Sequence, residues 1–437
     1  MRINRPVIGW IFYDFANSAF ATTILAVIFS QYFAGVIAGG AEGVKFHLFG
    51  KVIQIPGSSL WGYLVSISTL VVAITSPLMG AIADLGGWRK RLLMLYCYLG
   101  VLATMGLSLA GPGDIWLASL LFILADLGFG GGNVFYNAFL LDVSPKGDYG
   151  KVSGLAWGFG YLGGGLCLGL NLVMLKFPHL LGQPEGFFSV ADCILVSGVW
   201  WGIFAIPTML WLRDPAEERA RIKLSQVVVA AWRRLRQTLR EVKKYRHLTR
   251  FLLAYLIFND GIETVIVMAS IFGSEVVGLS AGELVLFFLI IQGTALVGSL
   301  GFGWLGDRIG NRPTLLITLV IWLGVVSWAF KLGWLFNPRT DYYIIGVLAG
   351  SVLGGSQSAA RALQASFTPP GRAGEFFGFF GISGRFASIF ATALYSTVII
   401  LAGGVQAGIL ILGLFFLVGG VLLWFVDEAA GIESAGP

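Results

Sequence analysis

The 437-residue chain is 57% hydrophobic and only 12% charged, with 61 Gly and 34 Phe, and its mean hydropathy is +0.82. That make-up excludes a water-soluble globular domain. The formal net charge of +6 lies mostly in the connections between apolar segments, so it serves membrane orientation and calls for no nucleic-acid partner.

Twelve apolar segments are predicted to cross a bilayer, each near or above the roughly 20 residues needed at 1.5 Å of rise per residue. They fall near 7–37, 58–83, 90–110, 114–141, 152–175, 190–212, 250–273, 282–306, 313–332, 341–367, 374–402 and 406–427. The first is too long, and too polar around Asn17, for a cleaved signal peptide. Cys97, Cys167 and Cys193 fall inside predicted helices, as packing residues rather than a disulfide framework. If the N-terminus is cytoplasmic, the inner connections hold 22 of the 29 Lys and Arg, among them Arg2, Arg5, Arg89, Lys90, Arg91, Lys146 and Lys151. The outer ones hold only Lys45, Lys51, Lys176, Lys331 and Arg339. This asymmetry predicts both termini inside.

The charged stretch 213–249 separates two six-helix units, 1–212 and 250–437. Within it Leu224, Val228, Ala231, Leu235, Leu239 and Val242 recur at helical spacing. Opposite lie Arg233, Arg234, Arg236, Arg240, Lys243 and Lys244. The stretch therefore reads as a basic amphipathic helix resting on an anionic inner leaflet, with no regulatory role required.

The two units repeat one another. Gly80-Ala81-Ile82-Ala83-Asp84-Leu85-Gly86-Gly87-Trp88-Arg89 recurs as Gly303-Trp304-Leu305-Gly306-Asp307-Arg308-Ile309-Gly310-Asn311-Arg312, with Asp84 and Asp307 at equivalent places. Ser144-Pro145-Lys146-Gly147-Asp148-Tyr149-Gly150 likewise matches Thr368-Pro369-Pro370-Gly371-Arg372-Ala373-Gly374 at almost the same offset. Six helices separate equivalent positions, and an even number restores the orientation. The expected architecture is an all-α membrane protein built as a 6+6 parallel repeat, with the transported solute passing between the units.

On these features the chain resembles the major facilitator superfamily. Within it, Tyr13-Asp14-Phe15-Ala16-Asn17-Ser18-Ala19-Phe20, Val134-Phe135-Tyr136-Asn137-Ala138-Phe139, Gly354-Gly355-Ser356-Gln357 with Arg361, and Glu375-Phe376-Phe377-Gly378 resemble the family of the fungal autophagy-related vacuolar amino-acid effluxer and its bacterial relatives. The resemblance covers nearly the whole chain. It implies a monomeric secondary transporter that releases neutral amino acids, and helices 1, 4, 7 and 10 around a central path. Short loops without long hydrophilic insertions suit a bacterial plasma membrane.

Ionisable groups at membrane depth mark a site by default. At 1.5 Å per residue, Asp14 lies roughly 10 Å and Asn17 about 15 Å from the inner start of helix 1, on one face beside Tyr13. In helix 7, Asn259 and Asp260 are about 15 Å deep and Glu263 about 20 Å. Helix 4 adds Asp126, Asn133 and Asn137, helix 8 Gln292, helix 10 Gln357 and Arg361, and helix 11 Arg385. His47 and His179 fall in outer loops and His247 in the linker, so proton coupling would use Asp14, Asp126, Asp260 or Glu263. A zwitterionic amino acid needs a cation and an anion near the midplane. Arg385 is the candidate for its carboxylate and Asp14 or Asp260 for its ammonium. Alternatively Arg385 neutralises a buried acid such as Glu263.

Asp84 with Arg89, and Asp307 with Arg308 and Arg312, sit at inner helix ends and are gating candidates, as is Arg361. No nucleotide loop, nucleophile elbow or metal-ligand spacing is present in the sequence, so an enzyme and a cofactor are not expected. A proton-coupled importer or drug exporter of the same fold is the alternative within transport. A non-transporting receptor or scaffold would gain nothing from carboxylates costing about 2.5 to 3.5 kcal/mol each to insert.

Overall fold

A computed structural model describes residues 3–48, 51–214, 224–241, 243–385 and 405–436. Helix α1, Arg5–Ile37, starts where Asn4 accepts the Val7 N–H at 3.1 Å and Pro6 occupies the first turn. It widens into π-type turns over Phe20–Val27 and Phe33–Ile37. There follow α2 Gly57–Gly86, α3 Arg89–Leu107, α4 Ile115–Val143, α5 Tyr149–Lys176 and α6 Val190–Trp211. After a linker helix, Leu224–Arg240, come α7 Arg246–Glu275, α8 Ala281–Ile309, α9 Asn311–Phe330 and α10 Pro338–Ser366. The described part of α11 is 373–385; α12 is Val405–Trp424, and a short helix Glu428–Ala435 ends the chain. Ser189 with Asp192 and Ser280 with Glu283 form capping boxes that start α6 and α8. Gly87 and Gly310, equivalent in the duplicated motif, have φ of 61° and 98°, a backbone that ends α2 and α8 and that a side chain would oppose.

Among the described residues ten helices, α1 to α10, are long and apolar enough to cross a membrane, and α12 with the terminal helix forms an eleventh candidate bent by 64°. Most of the predicted span 374–402 lies outside the described residues. Ile74, Leu102, Leu120, Val297 and Val320 point outward, as apolar side chains do toward lipid. Cys97, Cys167 and Cys193 are buried and unbridged.

Helices α2, α3 and α6 pack in the chain α4–α3–α6 with α2 against α4, and α8, α9 and α12 repeat these relations around α10. Between the two groups, α5 packs along α8 and α10. On the other side of the molecule α2 meets α11: a Cβ on Gly80 would lie 2.0 Å from the Gly374 carbonyl oxygen, and one on Gly303 of α8 would lie 2.5 Å from that of Gly150 on α5. Only glycine permits these crossings.

Two features depart from the sequence reading. The connection between α1 and α2 contains an antiparallel hairpin, β1 Val44–Leu48 with β2 Lys51–Ile55, paired from Val44 to Ile55 through Leu48 to Lys51. Alternating apolar and polar residues over Val44–Leu48 favour a strand there, so one loop of the helical fold carries a short hairpin. Of the linker helix's expected lipid face, Val228 and Leu239 are exposed, while Ala231 of that face and Val227 beside it are buried against Ala81 and Ile82 of α2. Arg234, assigned to the opposite basic face, turns into the protein as well, with its Nε 3.2 Å from Glu375 Oε2 at the start of α11.

Candidate functional site

Two ion pairs join the two groups of helices inside the protein. The deeper in terms of burial is Asp14 with Arg361, brought together by α1 and α10. Arg361 Nη1 donates to Asp14 Oδ2 at 2.8 Å and to Asn137 Oδ1 at 3.3 Å. Its Nε donates to Ser153 Oγ at 2.9 Å and its Nη2 to the Ser153 carbonyl at 2.8 Å. The guanidinium also lies 4.8 Å from the Trp10 ring centroid, 5.0 Å from Trp157 and 5.7 Å from Tyr136. Arg361 is 2% exposed and Asp14 6%. A buried charge persists only when paired and hydrogen-bonded, and these partners meet that condition. Trp10 stacks on Tyr136 and donates its indole N–H to the Tyr136 carbonyl, while Tyr13 stacks on the other ring at 4.7 Å.

The second pair is Asp126 of α4 with Arg385 of α11, at 3.2 Å. Ser68 of α2 donates to the same Asp126 oxygen at 2.5 Å. Arg385 keeps 22% of its side chain exposed and lies 5.9 Å from the Phe129 ring centroid. Gly130 makes the approach possible, because a Cβ there would sit 2.2 Å from Arg385 Nη2. Glu263 of α7 is within electrostatic reach of Arg385. Arg385 thus meets a buried acid, as the alternative reading of the sequence allowed, and Asp126 is one that it pairs with.

Around these pairs Asn17 donates to Asn133 Oδ1 at 2.8 Å, Tyr161 donates to Gln357 Oε1, and Asn259 donates to the Gly384 carbonyl at 3.1 Å. Asp260 is buried on α7. Gln292 of α8 faces Gly165 of α5. Arg361, named both as an interior residue of helix 10 and as a gating candidate, is buried and faces Asp14.

At one face of the molecule the duplicated motif forms two reciprocal helix caps. Asp84 accepts the N–H groups of Gly374 and Glu375 at 2.9 and 3.0 Å, capping α11. Asp307 accepts those of Gly150 and Lys151 at 2.7 and 3.0 Å, capping α5. Each carboxylate thus meets the positive end of a helix from the other group. Arg89 supports Asp84 at 3.0 Å and also reaches Asp142 at 2.5 Å. Arg308 and Arg312 do not support Asp307: the first lies 3.9 Å over the Trp304 ring and the second donates to the Leu423 carbonyl at 3.2 Å. Their expected gating pairs are corrected accordingly. Long side chains at a helix end find the nearest ring or free carbonyl, and Asp307 is already occupied by amides.

A family model described as "Vacuole effluxer Atg22 like" matches residues 4–145 and 142–436. The chain belongs to the Atg22-like family. A relative in Bacillus subtilis, described as an uncharacterized MFS-type transporter YxiO, is 31% identical over 435 residues, covering 99% of this chain and 97% of its own length. Autophagy-related protein 22 of Coccidioides immitis is 24% identical, covering 88% and 74%. Among solved structures, the proton:xylose symporter XylE matches with a TM-score of 0.70 at 14% identity over 98% of this chain and 95% of its own. The human organic anion transporter MFSD10 matches at 0.69 and 17% over 97% and 100%. At such identities these structures establish the major facilitator fold alone. This Atg22-like protein is therefore a multi-pass membrane transporter of that superfamily and not an enzyme.

Several of its site residues escaped sequence reasoning. Ser153, Ser68, Trp10, Trp157 and Lys151 carry contacts that no motif announced. One signal was available: the two repeated motifs share nearly one offset, which is what reciprocal capping between Asp84 and Gly374 and between Asp307 and Gly150 requires.

Proposed function

We propose that the chain exports neutral amino acids across a bacterial plasma membrane by alternating access, as a monomer coupled to protons. On this reading it has twelve spans in two parallel six-helix bundles, 1–212 and 250–437, joined by 213–249, with both termini and the linker cytoplasmic. The reciprocal caps then close the cytoplasmic side.

The observation that carries the amino-acid reading is the Asp126–Arg385 pair across the two bundles. A zwitterion can insert between those groups and replace each by its own opposite charge. Its carboxylate takes the Arg385 fork and its ammonium takes Asp126 or Glu263, so no charge is left unpaired and the exchange is close to neutral in cost. The remaining exposure of Arg385 gives access from one side. Effluxer function is what the family description names.

Asp14 supplies the proton step. While Arg361 holds it at 2.8 Å the carboxylate has its counter-ion. Withdrawal of α10 from α1 as the bundles rock removes that counter-ion, and a proton takes its place. The roles assigned to Asn17, Asn133, Asn137, Asn259 and Gln357 are hydrogen bonds along this path. The buried Asp126 on the path favours, as a second reading, a drug exporter for cationic cargo.

The test is uptake and counterflow of a labelled amino-acid panel in proteoliposomes under pH gradients of either sign. Saturable transport of large neutral amino acids, lost in Arg385→Ala and independent of the gradient in Asp14→Asn, is expected. Absence of transport for every amino acid overturns the substrate, and cationic cargo moved equally by Arg385→Ala selects the second reading.

A further inference from the structure

The linker helix has three faces with different surroundings. Val227, Ala231, Arg234 and Thr238, at four- and three-residue steps, turn into the protein. Val227 and Ala231 pack on Ala81 and Ile82 of α2. Thr238 donates to Glu375, and Arg234 donates to the Gly371 carbonyl at 2.9 Å. Glu375 is fully buried and is held at the same time by Arg372 at 2.9 Å. One helix therefore straddles the seam between α2 and α11 beside the Asp84 cap. If α2 and α11 separate, either the apolar or the polar half of this contact must break.

The second face carries Val228, Trp232 and Leu239, all exposed at 38%, 47% and 58%. The third carries Arg233, Arg236 and Arg240, also exposed, with Arg236 stacked 5.3 Å over the Trp232 ring. An apolar stripe bordered by arginines, next to an indole, is the side-chain arrangement of a helix lying in a bilayer interface, with its arginines at phosphate level. The helix is fixed to the end of α2, long and apolar enough to cross a membrane, and to the start of α11, so the lipid surface is the occupant within reach, and the three guanidinium groups select anionic headgroups.

We infer that the linker helix is a lipid-held strut: anionic headgroups bound by Arg233, Arg236 and Arg240 keep it in the interface and so restrain opening of the α2–α11 seam. The inference rests on the transporter class and not on the cargo.

Ser76 of α2 reports the seam, because it is buried there, donates only to its own helix at Val72 and lies under Gly378 of α11. The full chain carrying Ser76→Cys would be reconstituted in phosphatidylcholine vesicles with and without phosphatidylglycerol, and its maleimide labelling rate measured. The parent, whose three cysteines are buried, sets the background. Phosphatidylglycerol is expected to slow labelling about fivefold or more, the lower end of ordinary coupling between sites, and 1 M salt to remove most of the effect. In R233Q/R236Q/R240Q the rates in the two lipids become equal. Persistence of the lipid effect in that variant, or equal rates in the parent, overturns the inference. A spin label at Val228→Cys must also be reached by lipid-dissolved oxygen more readily than by an aqueous nickel chelate; the reverse order refutes the interfacial placement.

Discussion

Asp84→Asn tests the reciprocal caps most directly. Asp84 accepts two amide N–H groups and one guanidinium contact. Asparagine retains one acceptor oxygen, so the variant loses one amide bond and the charge that draws Arg89 and the α11 amino end. Arg89 still has Asp142 and is not stranded. A charge-assisted hydrogen bond contributes about 1.5 to 3 kcal/mol, and part returns as water reaches the freed amide. A net bias of about 2 kcal/mol toward seam opening follows, or roughly 30-fold in the equilibrium. Asp307→Asn likewise loses one amide bond, while Lys151 at 3.6 Å is too exposed to add much; about tenfold is expected there. The two aspartates share no partner, so the double variant should shift the equilibrium by a few hundred-fold, the product of the two. The assay is maleimide labelling of Ser76→Cys at the α2–α11 seam and, separately, of Ser299→Cys at the α5–α8 seam, where a Cβ on Gly154 would lie 2.3 Å from the Ser299 carbonyl. If the two groups of helices move as bodies, Asp84→Asn speeds labelling at both positions. Faster labelling at Ser76→Cys alone would mean local fraying of α11, and the gate reasoning would fail. An unchanged rate at both would show that the caps contribute nothing to closure.

Arg361→Ala leaves Asp14 buried without its main partner, at an expected cost of about 3 to 5 kcal/mol; thermal unfolding in detergent should show a large loss, mostly recovered by adding Asp14→Asn, and equal stability of Arg361→Ala and the parent would contradict the pairing. Gly130→Ala places a methyl group where the Arg385 guanidinium lies, an overpacking worth about 1 to 3 kcal/mol. The unfolding midpoint should fall and should rise again when Arg385→Ala is added, since two residues in contact are not additive. Failure of that rescue would place the strain elsewhere.

The membrane class was legible because lipid demands a single pattern, long apolar runs with charge confined to their ends. The site was legible only as an inventory. Asp14, Asp126, Arg361 and Arg385 stand out because each is costly at membrane depth, yet nothing in their spacing says who meets whom. Asp14 and Arg361 are 347 residues apart, and the contact depends on the rotation of α1 against α10, which packing sets. Ser153 was invisible for a different reason: a serine in a glycine-rich helix carries no signal until a guanidinium is found beside it. The hairpin after α1 was missed because the alternation, confined to Val44–Leu48, is short and sits among loop residues. The inward face of the linker was missed because helical periodicity gives several stripes and does not say which one finds protein and which finds lipid. Val227 and Ala231 differ little from Val228 and Leu239 in sequence and differ completely in burial.

On the proposed reading, the duplicated motif makes closure at this face both firm and reversible. Each Asp is offered to backbone amides, which keep their place whatever side chains surround them, and each crossing is made by glycine, whose contact has no side chain to unlock. The interaction is therefore short-ranged: a separation of a few ångströms loses the caps together, at Asp84 and at Asp307. The buried Asp14–Arg361 pair behaves otherwise. Its carboxylate is buried, and on the proposed reading it takes up a proton once Arg361 withdraws, so opening this layer has a chemical requirement that opening the caps lacks. A seam that parts mechanically and an inner pair that parts only with a charge exchanged would tie movement of the helices to movement of a proton. Asp14→Asn should accordingly remove the proton dependence of seam opening while leaving the effect of Asp84→Asn on Ser76→Cys labelling in place.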